Sequence, residues 1–121
     1  MLIRSVKDLA QFGPDHFQAV PLARTDQSMT MVIGLEPGQA IPVHHPKSDV
    51  TITILQGEVT LVSGDEDLEH AGPGAVLHSP AGTARGMRAN QRTIAIAVAS
   101  PPPGPDDHRE VAEHFAKGTW R

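Results

Sequence analysis

The chain has 121 residues, a formal net charge of −4, no cysteine, and only three Phe and one Trp as aromatics. That length supports one hydrophobic core but not two, and the missing cysteines exclude disulfides and thiolate metal sites, leaving nitrogen and oxygen as metal donors. The acidic balance argues against nucleic acid as a partner, and no apolar run approaches a membrane span, so a soluble protein is expected, with a missing disulfide framework fitting the cytoplasm.

Eleven Gly and eleven Pro are spread along the chain, which implies frequent turns and many short strands. In chain order, Ser5 to Asp8 reads as a capping box opening a short helical turn through Phe12. Gln18 to Leu22 reads as an edge segment, because Pro21 cannot donate to a ladder. Met29 to Leu35 alternates, with Met29, Met31, Ile33 and Leu35 on one face and Thr30 and Gly34 on the other. Val50 to Leu55 places Val50, Ile52 and Ile54 inward and Asp49, Thr51 and Thr53 outward. Residues 58–63 continue as a strand, residues 64–67 form an acidic hairpin tip, and Leu68 to Ala71 returns. Ala75 to Ser79 and Ile94 to Ala99 complete the apolar runs, the last suited to burial on both faces. Beyond the Pro-rich connector 100–105, Asp107 and Glu110 fit a capping box. The helix so opened is expected over about 107–117, with Val111 and Phe115 on one face and Gly118 as its stop.

The stretch from Gly38 to Gly57 carries two adjacent histidines, His44 and His45, and one carboxylate, Asp49. Gly38, His44 and Gly57 are spaced as in the first motif of the cupins: Gly, five residues, His, one residue, His, three or four residues, Glu, six residues, Gly. Gly74, Pro80 and Gly82 fit the second motif, in which His and Asn follow the Gly. Over about residues 29–99 the chain thus resembles a small single-domain cupin of the RmlC-like superfamily, with degenerate metal-ligand motifs. The resemblance implies an all-β, cupin-type jelly-roll β-barrel of two antiparallel sheets with a short C-terminal helix, in a single domain over 1–121 whose barrel core spans about 18–99.

In metal-binding members, the two His and the Glu of the first motif and the His of the second hold one divalent ion. Here the second His position is Pro46, the Glu position is Val50 and the second-motif His is Arg85. His45 and Asp49 each stand one residue out of register, which on a strand reverses the face. A β-bulge between His45 and Val50 would re-aim Asp49. Arg85 cannot coordinate a cation; its planar donors suit a carboxylate or phosphate, with Arg88 and Arg92 following it and Lys47 in the first motif.

His44, His78 and Arg85 are therefore the candidate ligand-binding residues. His44, His45, His78 and Asp49 are the candidates for an irregular site taking Zn, Ni, Fe, Mn or Cu, with a metal-free site as the other reading. The expected function is binding of a small anionic ligand. The alternatives are a metal-dependent enzyme of dioxygenase or isomerase type, and a metal-free acid–base enzyme in the manner of the sugar epimerases. Small-molecule ligand and homodimer are the partners the resemblance implies. The other histidines, His16, His70, His108 and His114, are expected at the surface.

Overall fold

A computed structural model describes the backbone of residues 1–121 and the side chains of all but residues 105 and 106. Its strands are β1 (Gln18–Arg24), β2 (Met29–Leu35), β3 (Ala40–His44), β4 (Asp49–Gln56), β5 (Val59–Ser63), β6 (Glu66–Ala71), β7 (Val76–Ser79), β8 (Arg85–Ala89) and β9 (Thr93–Ser100). They form two antiparallel sheets, one ordered β1-β2-β9-β4-β7 and the other β3-β8-β5-β6. This is the expected jelly roll, with an aliphatic core between the sheets.

Alternation on β4 sets the inner face: Val50, Ile52 and Ile54 are at most 2% exposed, while Asp49 lies outside. From the facing sheet, Val59 and Met87 are fully buried against them. β2 runs between β1 and β9, and Gln11 and Phe12 of the N-terminal segment lie against its outer face at Gly34. Thus the strand read as half-buried is covered on both sides near its end. β1 is an edge strand as Pro21 required, with an irregularity in its register between Pro21 and Ala23.

Both chain ends differ from expectation in their caps. The first turn is a 3-10 turn over Val6–Leu9, and the Ser5 side chain makes no capping bond. The terminal helix, α1 (Arg109–Lys117), begins two residues later than expected, with His108 rather than Asp107 at its N-cap position. Asp107 instead accepts the Gly104 N–H at 2.7 Å, bracing the 3-10 turn Pro105–His108. The stop is as read, with Gly118 at φ 69°.

α1 packs on β3, and the tail beyond it is tied down by the Val43 N–H donating to the Trp120 carbonyl at 2.6 Å. Phe115 stacks with His16 at 4.0 Å, which joins the helix to the N-terminal segment. The segment after β9 therefore runs across the open end of the barrel, where Pro103 and Val111 cover part of the cavity. Among the described residues no helix is long and apolar enough to cross a membrane.

Candidate functional site

β3 reaches the barrel mouth through a bulge. Ile41 pairs with Met87 and His44 with Arg85, so three steps on β3 oppose two on β8. The extra residue restores parity: Ile41 and His44 both turn inward although they are three apart. Pro42, buried and unable to donate to a ladder, occupies the bulge. Gly86 faces it, and a Cβ there would lie 2.7 Å from Val43 Cγ2 and 3.0 Å from the Val43 nitrogen. The bulge thus depends on a residue without a side chain on the opposite strand.

His44 and Arg85 are consequently direct cross-strand neighbours lining one cavity of about 360 Å³ between the two sheets. His44 is 5% exposed, and its Nδ1–H donates to the Pro42 carbonyl at 2.7 Å. A carbonyl only accepts, so Nδ1 carries the proton and Nε2 presents its lone pair. Arg85 Nε is buried and has no hydrogen-bond partner among the described residues. Burial pushes Arg85 down to about 10, against the opposing field of Asp107, which leaves it protonated at neutral pH. Burial also lowers His44 below its ordinary 6.5, assisted by the Arg85 charge and opposed by the Pro42 bond and the Glu110 and Asp107 carboxylates. The pair is therefore a fixed cation beside a neutral imidazole: donors for an oxyanion and an acceptor for a proton.

The lowered His44 value carries a sign for stability. Below 6.5 the unfolded chain takes up a proton that the folded one refuses, so stability falls on acidification and levels off below the folded value. We expect the melting temperature to drop as the pH falls through 6.5, and His44→Gln to flatten that part of the profile. Parallel profiles for the two proteins would contradict the assignment.

The remaining candidates stand elsewhere. His78 is exposed on the outer face of β7, hydrogen bonded to the Thr51 hydroxyl at 3.0 Å, and does not line the cavity. His45 points out to α1, where its Nδ1 lies 2.9 Å from Glu110 Oε2; this hydrogen bond is the main reason Glu110 is held below the usual carboxylate range. Asp49 also points out and accepts the Ala81 N–H at 2.8 Å. The bulge lies before His44, not between His45 and Val50, so it rescues His44 and leaves Asp49 outside. Arg92 is exposed beside Glu36 and over the Phe12 ring, and Lys47 is exposed. Arg88 lines a separate open cleft of about 510 Å³ beside Trp120, outside the barrel. That cleft is larger than the barrel cavity but contains none of the buried charge.

Two groups at the cavity mouth escaped the sequence reading: Asp107 and His108. The capping pattern assigned Asp107 to the helix start, and nothing periodic in a Pro-rich connector signals which residues fold back over a barrel.

Comparison with known proteins agrees with this architecture. The family model described as "Cupin domain" matches residues 31–100. The chain belongs to the cupin family. It is similar to the crystal structure of TT1209 from Thermus thermophilus, with 32% identity, 85% of this chain and 100% of that chain covered, and a TM-score of 0.77. An RmlC-like cupin from Desulfovibrio desulfuricans is 26% identical over 84% of this chain and 98% of its own, with a TM-score of 0.74. A double-stranded β-helix protein from Klebsiella pneumoniae, 24% identical over 82% of this chain and 89% of that one at a TM-score of 0.72, shares the fold. No curated protein matches the chain.

Cupins often bind metals, which makes the donor set of this cupin worth testing against one. The usual ligand positions hold His44, the buried Pro46, the inward Val50 and Arg85. Among the described residues no three His, Asp or Glu come together as a metal site. One imidazole faced by a guanidinium does not fit a divalent cation, because the guanidinium repels it and offers no lone pair.

Proposed function

We propose that this cupin binds a small organic anion in its barrel cavity, with Arg85 as the anion donor and His44 as the neighbouring acceptor. The observation that carries the reading is the Arg85 guanidinium, whose Nε is buried without a partner at the wall of a cavity of about 360 Å³. Buried charges are ordinarily paired, because an uncompensated one costs several kcal/mol. A ligand carboxylate arriving there supplies the missing acceptor, and its two oxygens suit the planar fork. The cavity size lies at the low end of small-molecule sites. The metal-dependent dioxygenase or isomerase reading has no comparable support, since it needs His45, His78 or Asp49 beside His44 and all three face away from the cavity.

The test is a thermal-shift and calorimetric screen of the protein against small mono- and dicarboxylates, phosphate and the matching uncharged amides. Saturating carboxylate should raise the melting temperature, the amides should not, and Arg85→Gln should abolish the shift. If amides and acids act alike, or if Arg85→Gln binds as the parent does, the reading fails.

A further inference from the structure

The two walls of the cavity narrow the ligand class, provided that the anion-binding reading above holds. Apart from Arg24 on β1, Ser48, and Asp107 and His108 at the mouth, the polar groups of the cavity stand on one sheet edge. His44 on β3 and Arg85 on β8 face each other directly, which places their Cβ atoms ~5 Å apart. Across the cavity, the lining from β2, β4 and β9 is hydrocarbon: Met29, Met31, Ile33, Val50, Ala97 and Ala99. A ligand that satisfies both walls has a polar head of closely spaced groups and an aliphatic body.

The head can be specified further from hydrogen-bond directions. Because His44 Nδ1–H is committed to the Pro42 carbonyl, Nε2 is an acceptor only. Beside Arg85, then, the ligand must offer an oxyanion and, on an adjacent atom, a group that donates a hydrogen. A keto oxygen would meet the Nε2 lone pair head-on. An ammonium could donate, but it would stand next to the Arg85 cation in a cavity where charges are poorly screened. A hydroxyl donates without adding charge. An acid lacking it leaves Nε2 without a partner, which costs affinity. We infer that the cavity takes a 2-hydroxycarboxylate with a short aliphatic chain, its carboxylate on Arg85 and its hydroxyl donating to His44 Nε2.

Four acids sharing one carbon skeleton separate these cases: 2-hydroxyisocaproate, isocaproate, 2-ketoisocaproate and leucine, each titrated calorimetrically into the full chain at neutral pH. The hydroxy acid should bind about tenfold more tightly than isocaproate, with the keto acid and leucine weaker still. In His44→Asn, which can retain a donor toward Pro42 but has no acceptor at the Nε2 position, that preference should collapse while isocaproate binding persists. His44→Gln, whose amide oxygen reaches the Nε2 position, should recover part of it. Equal binding of the hydroxy acid and isocaproate overturns the hydroxyl assignment and leaves the anion site standing. Tighter binding of leucine or the keto acid overturns it too, as does a preference that survives in His44→Asn. Failure of all four, while another carboxylate still raises the parent's melting temperature, overturns the hydroxy-acid assignment alone; failure of every carboxylate removes the anion site itself.

Discussion

Replacing Arg85 with methionine is expected to raise the melting temperature and weaken anion binding in the same variant. Arg85 is a protonated group at the cavity wall, pushed down to about 10 by burial, with its Nε unpaired. Ile41 and Val50 line the same cavity as its apolar neighbours, with His44 opposite and Asp107 at the mouth. Methionine fills nearly the same length of side chain without a charge to desolvate, and exchanges of buried ionic groups for well-packed apolar ones are neutral or stabilising by about 1–4 kcal/mol. For a chain of this size such a gain corresponds to a rise of roughly 4–16 °C. Asp107 loses the favourable field of Arg85, but it keeps its bonds from the Gly104 and Lys47 N–H groups, which limits the offset. Binding should fall about a hundredfold, the worth of one charge-assisted bidentate contact in a water-poor site. Melting curves with and without saturating ligand measure both effects. A variant that melts below the parent would mean that Arg85 is a paired structural residue, and the stability–function opposition would disappear.

That opposition explains which parts of the molecule were legible in the sequence. Strands β2, β4, β5 and β9 bury aliphatic faces, and their alternation is plain in the residues. β3 and β8 were not separately discernible, and they carry the site. Ala40 to His44 is interrupted by Pro42 and by the bulge, while Arg85 to Ala89 opens its inward face with a cation. Hydrophobic periodicity fails where polar side chains must turn inward, and that is where a binding site must be built. The bulge itself had a signal: a proline inside a strand is at home at an edge or a bulge, and Pro42 marks the spot. Glycine and proline spacing revealed the fold because turns depend on local backbone chemistry. Gly57, at φ 94°, is one such turn. The partners of His45 and the position of Asp107 depend on how residues 101–121 return to β3, a long-range packing outcome with no local signature.

Gly86→Ala is expected to be among the most damaging single-methyl changes in the protein. The added Cβ would lie 2.7 Å from Val43 Cγ2, 3.0 Å from the Val43 nitrogen and 3.1 Å from its Cα. Rotating the valine side chain relieves only the first contact; the other two are backbone, and β3 itself must move. That nitrogen donates to the Trp120 carbonyl at 2.6 Å, so displacing it also loosens the tail that follows α1. Gly86 is buried on β8 between the core residue Met87 and the site residue Arg85, so the strand cannot swing outward without disturbing both. Overpacking against backbone costs typically ~1–3 kcal/mol, and losing the tail bond adds about 1 kcal/mol. The melting temperature should therefore fall by roughly 10 °C. Val43→Gly in the Gly86→Ala background should recover only a minor part, because the backbone contacts remain. Binding should suffer beyond the loss of stability. If the strand slips to remove the bulge, the inner and outer faces exchange and His44 turns away from Arg85. Hydroxy-acid preference measured well below the melting transition should then vanish in Gly86→Ala even though the protein is folded. A variant that melts within about 1 °C of the parent and keeps the preference would show that β3 holds its bulge without help from Gly86.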